Sequence, residues 1–130
     1  MILYIDTTNG NKIEIALGKG ERTLVREEFE AKYSQAEKLL PAIKKMLAGK
    51  KIKLSAISEI VIANKSGVNT GFTALRIGVV TANALGYALG IPVRGAANKL
   101  KSKKFSGFDV IEPVYSQNPN ITKQKAPAVD

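Results

Sequence analysis

The sequence predicts an α/β domain: a mixed sheet with an antiparallel meander at one edge and two long helices. Three observations carry this expectation. The first thirty residues hold three β-favouring runs separated by glycine-containing turns. Two later stretches place apolar residues at helical spacing, and short apolar runs flank the second of them. At 130 residues the chain has material for one domain with a core of its own.

The meander comes first. Met1 to Asp6 is apolar and β-favouring, Lys12 to Leu17 alternates polar with apolar, and Arg22 to Phe29 continues the alternation. Asn9-Gly10-Asn11 and Gly18-Lys19-Gly20 supply the turns, so the three strands should be antiparallel. Next, Tyr33, Ala36, Leu39, Leu40, Ile43, Met46 and Leu47 recur every three or four residues, with Glu37, Lys38, Lys44 and Lys45 largely between them. This is an amphipathic helix ending near Gly49, in which Pro41 should produce a bend or reset the start. Glu59 to Ala63, carrying Ile60-Val61-Ile62, reads as a strand covered on both faces, and a loop runs from Asn64 to Gly71. The segment Phe72 to Leu89 reads as the second helix, stopped by Gly90, and Ile91-Pro92-Val93 as a strand parallel to the one before it. After Ala97 the pattern weakens. Residues 1–106 are read as one lobe and 107–130 as a C-terminal strand, using Val110, Ile111, Val114 and Tyr115, with an extended tail from Ser116.

Composition narrows the function. Hydrophobic residues make up 45% and charged residues 24%, the balance of a folded soluble domain. Cysteine is absent, which excludes disulfides and thiolate zinc sites, and the N-terminus lacks the pattern of a signal peptide, so the cytoplasm is the expected location. Histidine is absent too, which removes the usual general base at neutral pH. The net charge of +9 is uneven: residues 1–30 hold 4 Lys/Arg against 6 Asp/Glu, and residues 31–130 hold 16 against 5. Such an excess suits either a solubilising surface or an acidic partner such as RNA.

The second helix is the feature that most constrains function. Ala74, Gly78, Ala82, Gly86 and Gly90 form a stripe of small residues, and the flanking rows are Ile77, Thr81, Leu85 and Leu89, and Leu75, Val79, Asn83 and Tyr87. Val80, Ala84 and Ala88 fill the remainder. No face is made for water, so the helix must be covered. Three covers compete: a membrane, which Arg76, Thr81 and Asn83 argue against; the sheet and first helix of the same chain; or a partner approaching over the small stripe. The third reading is preferred. It expects Gly78→Leu or Gly86→Leu to block a partner without unfolding the sheet.

Two segments could carry chemistry. Asp6-Thr7-Thr8-Asn9-Gly10 lies at a strand end and offers a carboxylate and hydroxyls, but these are also the ordinary residues of a hairpin turn, which is the preferred reading. The loop 65–73 leads into a helix N-terminus where Asn69 and Thr70 could meet an anion, or Thr70 or Thr73 could cap the helix. It contains no Walker pattern.

Residues 1 to 100 resemble the TsaB (YeaZ) family. The stretches that carry the resemblance are Ile5-Asp6-Thr7-Thr8, Ser34-Gln35-Ala36-Glu37-Lys38-Leu39-Leu40-Pro41, Leu54-Ser55-Ala56-Ile57-Ser58-Glu59-Ile60, Phe72-Thr73-Ala74-Leu75-Arg76-Ile77-Gly78 and Ala88-Leu89-Gly90-Ile91-Pro92-Val93. Glu112-Pro113-Val114-Tyr115, followed by Pro119 and Ile121-Thr122-Lys123, looks like the family's C-terminal end. The resemblance implies a single actin-like ATPase (ribonuclease H-like) lobe in a shortened member lacking most of the second lobe. The family's loop before the long helix, Gly-Pro-Gly-Ser-Phe-Thr-Gly-Leu-Arg, aligns with Val68-Asn69-Thr70-Gly71-Phe72-Thr73-Ala74-Leu75-Arg76, in which three glycines and the proline are replaced. That weakens any nucleotide site built on Asp6, Thr8, Asn69 and Thr70.

The function so implied is that of a non-catalytic subunit, with no catalytic residue, metal or cofactor, that pairs with a TsaD-like catalytic subunit in tRNA threonylcarbamoyladenosine modification. The partner-binding residues expected are Leu39, Leu40, Ile43, Met46, Leu47, Ile77, Gly78, Thr81, Ala82, Leu85 and Gly86, together with Ala84 and Ala88. A homodimer in the absence of that partner, a TsaE-like ATPase as a further partner and indirect contact with tRNA complete the expectation, with no membrane involved. The alternatives are a basic tRNA-binding module using Lys99, Lys101, Lys103, Lys104, Lys123 and Lys125, a self-associating lobe with another role, and a residual nucleotide hydrolase using Asp6 and Thr8.

Overall fold

Strands Ile2–Asn9 (β1) and Lys12–Lys19 (β2) alternate buried with half-buried residues, which turns one face of each to a core. The computed structural model describes residues 1–32, 34–66 and 71–96; Tyr33 and the C-terminal strand and tail expected from the sequence lie outside them. β1 and β2 pair antiparallel with Ile5 opposite Ile15, and β2 pairs antiparallel with Arg22–Glu30 (β3), Ile13 opposite Phe29. Gly10 and Gly20 occupy the turns with φ of 64° and 63°, a left-handed conformation that costs glycine little.

Helix α1, Gln35–Gly49, buries Leu39, Ile43, Met46 and Leu47. Pro41 lies inside it and does not reset its start; it removes the N–H that would bond the Glu37 carbonyl, while buried residues on both sides hold the helix to the core. Its C-terminus is closed by a Schellman arrangement: Lys51 N–H donates to the Ala48 carbonyl at 3.0 Å and Ile52 N–H to the Leu47 carbonyl at 2.9 Å. Lys51 therefore takes the left-handed position, φ 56°, two residues beyond Gly49. A single 3₁₀ turn, Leu54–Ala56, leads through buried Ile57 to strand β4, Glu59–Ile62.

β4 pairs parallel with β1, Leu3 opposite Ile60 and Ile5 opposite Ile62. Its Ile60, Val61 and Ile62 are all buried, as expected of a central strand. Helix α2, Phe72–Leu89, follows, and Gly90 at φ 67° ends it with the same hydrogen-bond pattern as α1: Ile91 N–H to Gly86 carbonyl, 3.0 Å, and Gly90 N–H to Tyr87 carbonyl, 3.3 Å. Strand β5 is Val93–Gly95, parallel to β4. It begins two residues later than the sequence suggested. The Ile91 N–H is committed to the helix cap and Pro92 has none, so only the Pro92 carbonyl joins the sheet, accepting from Ile60 N–H at 3.0 Å.

The sheet order is β3-β2-β1-β4-β5. Both helices pack on one face. Leu3, Ile5, Ile13, Ile15 and Leu17 from the meander, Leu39 and Ile43 from α1, Ile60 and Ile62 from β4, and Leu75 from α2 are fully buried in one contiguous core.

Candidate interaction surface

The small residues of α2 face the sheet of their own chain. Ala74, Gly78, Ala82 and Gly86 are all buried. Thr7, itself buried in β1, donates its hydroxyl to the Ala74 carbonyl at 2.7 Å. A Cβ added at Gly78 would lie inside 3 Å of Thr7 Oγ1, and one at Gly86 inside 3 Å of a Val93 methyl. The absence of side chains there lets the helix settle on β1, β4 and β5. This corrects the expectation that the stripe receives a partner: Gly78, Ala82 and Gly86 are already covered. Leu39, Ile43, Met46 and Leu47 of α1 are covered as well, being part of the core beneath that helix.

What remains outward on α2 is the opposite side. Val80 is 65% exposed and Tyr87 57%, and Thr73, Arg76, Ala84 and Ala88 are exposed with them. Ile77, Thr81 and Leu85 are half-buried at the margins. Leu40 of α1, at 36%, is a further exposed apolar residue of the helical layer. By length and composition α2 could cross a membrane, with a mean hydropathy of 1.3, and in this fold it is one layer over a sheet. The sequence places Tyr87 in a row flanking the small stripe and leaves Val80 among the residues that fill the remainder. The signal that locates them is Arg76, the sole charged residue of the helix: Val80 lies four residues on from it and Thr73 three before, on the same side.

Of the candidate nucleotide residues the structure describes Asp6 and Thr8, which bond to each other. Asp6 accepts from the Thr8 N–H at 2.7 Å and the Thr8 hydroxyl at 2.5 Å, an Asx turn closed on itself. Because Thr7 points at α2, its neighbour Asp6 projects on the other face of the sheet, where it lies opposite Glu14. An open cleft of about 1020 Å³ lies on the helical side, between the β1–β2 hairpin and the starts of α1 and α2, lined by Asn9, Lys12, Glu30, Ser34, Glu37, Phe72 and Thr73 among others. Neither Asp6 nor Thr8 lines it. Asn69 and Thr70 lie outside the described residues.

On the face of the sheet away from the helices, Tyr4 is flanked by Asp6 and Glu14, and Glu14 pairs with Arg26. Burial first, then the two carboxylates, push the Tyr4 phenol up to about 12, with Arg26 opposing them. Arg94 Nε donates to Glu59 at 2.9 Å across the β4–β5 pair. Among the described residues no group of three or more His, Cys, Asp or Glu is placed to hold a metal ion.

A mixed five-stranded sheet with a meander edge and both helices on one face defines an actin-like, ribonuclease H-like lobe, the fold of YeaZ. Residues 29–100, more than half of the chain, match the family model described as TsaD: tRNA N6-adenosine threonylcarbamoyltransferase. The tRNA threonylcarbamoyladenosine biosynthesis protein TsaB of Bacillus subtilis (strain 168) is 30% identical over 117 residues, covering 88% of this chain and 49% of the relative. YeaZ from Pseudomonas aeruginosa superposes with a TM-score of 0.63 at 26% identity, over 73% of this chain and 43% of that one. A structure described as an uncharacterized protein with similarity to peptidase YeaZ from Pseudomonas aeruginosa gives 0.65 at 26% identity, over 73% and 42%. The chain belongs to this family, as a TsaB/YeaZ-type member. It spans about half the length of the curated relative it matches.

Proposed function

We propose that the chain is a non-catalytic TsaB-like subunit that binds and stabilises a TsaD-like enzyme in tRNA threonylcarbamoyladenosine modification. One observation carries the proposal: α2, with a single charged residue, presents Val80, Ala84, Tyr87 and Ala88 to solvent after its small stripe has been covered by the sheet. A helix of this composition holds an apolar face in water only at a cost, and a protein partner removes it. The family match supplies the class of partner, and the closed Asx turn at Asp6 gives no reason to assign the chain chemistry of its own.

The surface so proposed consists of Ile77, Val80, Thr81, Ala84, Leu85, Tyr87 and Ala88, with Leu40. Co-purification with the cognate TsaD-like protein tests it. The expected result is a single co-eluting species at concentrations on the order of micromolar, lost in a Val80→Asp/Tyr87→Asp variant whose own unfolding midpoint is unchanged. Separate elution of the two wild-type chains overturns the proposal. Mass in solution of the chain alone reports whether the same face first pairs with a second copy.

A further inference from the structure

A run of charge of one sign lies on α1 and the turn that follows it. From Lys38 to Ser58 the sequence contains Lys38, Lys44, Lys45, Lys50, Lys51 and Lys53 and no acidic residue. All six lysines are exposed, and none takes part in the ion pairs Lys12–Glu28, Arg26–Glu14 and Arg94–Glu59. Leu39, Ile43, Met46 and Leu47 of the same segment are buried, so α1 turns its apolar stripe to the core and its ammonium groups to water. The Schellman turn after Gly49 then carries the row onward, setting Lys50, Lys51 and Lys53 beyond the helix end. With a rise of about 1.5 Å per residue, Lys38 to Lys50 alone covers roughly 18 Å.

We propose that this lysine row, centred on Lys44, Lys45, Lys50 and Lys51, is a contact surface for the phosphate backbone of RNA. Three features select that partner. Every cation of the row is lysine, a compact point charge suited to phosphates without regard to sequence, whereas paired carboxylates of an acidic protein favour the forked guanidinium of arginine. Leu39, Ile43, Met46 and Leu47 of α1 are inside the fold and Leu40 is the one large apolar side chain it exposes, too little apolar surface to enter a lipid layer. The tRNA-modification reading above, on which the choice of RNA over other polyanions rests, supplies a polyanion of the right kind. Aromatic residues that would stack on bases are missing from 38–53, which points to backbone contact and not base readout.

Lysines just past a helix C-terminus also complement its dipole, and that role needs no RNA. The two are separated by readout. Anisotropy of fluorescein-labelled bulk tRNA is measured against the full chain across a salt series, beside the urea midpoint of each variant. In a Lys44→Gln/Lys45→Gln/Lys50→Gln variant, tRNA affinity should fall at least about tenfold near 0.1 M salt, and the slope of log affinity against log salt should flatten by about 2 to 3. The corresponding Arg variant should retain both. Replacing Lys99, Lys101, Lys103 and Lys104 by Gln should leave the larger part of the affinity. The inference is overturned by wild-type protein that does not bind tRNA at low salt, by loss that follows only the second set, or by preferential binding to phosphatidylserine vesicles or polyglutamate. A chain that co-elutes with the TsaD-like protein yet ignores tRNA would remove this inference and leave the proposed function standing.

Discussion

At the scale of single residues, the contact between Gly78 and Thr7 decides how the molecule is built. Thr7 is buried and its hydroxyl is held by the Ala74 carbonyl, so it cannot retreat from a side chain grown at Gly78. Gly78→Leu and Gly86→Leu should therefore each cost about 3 kcal/mol or more in urea unfolding, a result opposite to the harmless outcome the sequence suggested. Ala84→Leu, on the exposed side, should stay close to wild type. Tyr4 gives a second residue-scale test. Its phenol is raised in the folded state, so between about pH 10 and 12 the native chain holds a proton that the unfolded chain has lost. Stability must fall with rising pH across that window. The stability difference between wild type and Tyr4→Phe should be flat below about pH 9 and should move in favour of Phe above pH 10, as measured by denaturant midpoints.

At the scale of elements, the two helices end in the same motif with different residues. α2 places Gly90 in the left-handed position, and α1 places Lys51 there, while Gly49 falls within the helix and confers nothing. A side chain in that conformation is disfavoured by roughly 1 kcal/mol relative to glycine. Lys51→Gly should accordingly raise the unfolding free energy by about 0.5 to 1 kcal/mol, read from thermal or urea midpoints. A decrease would mean that the lysine side chain makes a compensating contact. The helix end near Gly49 was legible in the sequence, and the residue that forms the cap was not. Schellman geometry is set by which carbonyls remain unpaired once α1 has docked through Leu47, a fact of packing.

At the scale of the whole molecule, β1 is the organising strand, antiparallel to β2 on one side and parallel to β4 on the other. Its Leu3 and Ile5 and the Ile60 and Ile62 of β4 are fully buried, whereas β3 is an edge strand with most residues exposed. Amide exchange should therefore be slowest in β1 and β4 and markedly faster along the open edge of β3. Equal protection of β3 would show that something covers that edge in solution. The two surfaces meet on α1, where Leu40 lies one turn from Lys44, while Val80 and Tyr87 of α2 and Lys50 and Lys51 past the end of α1 belong to one surface each, so variants at those positions test a protein partner and a polyanion separately.

The sequence by itself determined the elements of this protein. The spacing of Ile13, Ile15 and Leu17 specified a strand, that of Leu39, Ile43, Met46 and Leu47 a helix, and the glycine-containing turns and Gly90 their limits, because side-chain period and backbone freedom are local properties. The resemblance to the TsaB family was legible for the same reason, being carried by short ordered stretches. Only the tertiary structure decided which side of α2 meets the sheet. A helix apolar on nearly every face carries only Arg76 and Thr73 near its start to mark an outward side, and the close fit was decided by shape: Gly78 and Gly86 admit Thr7 and Val93, and Val80 and Tyr87 are left facing outward.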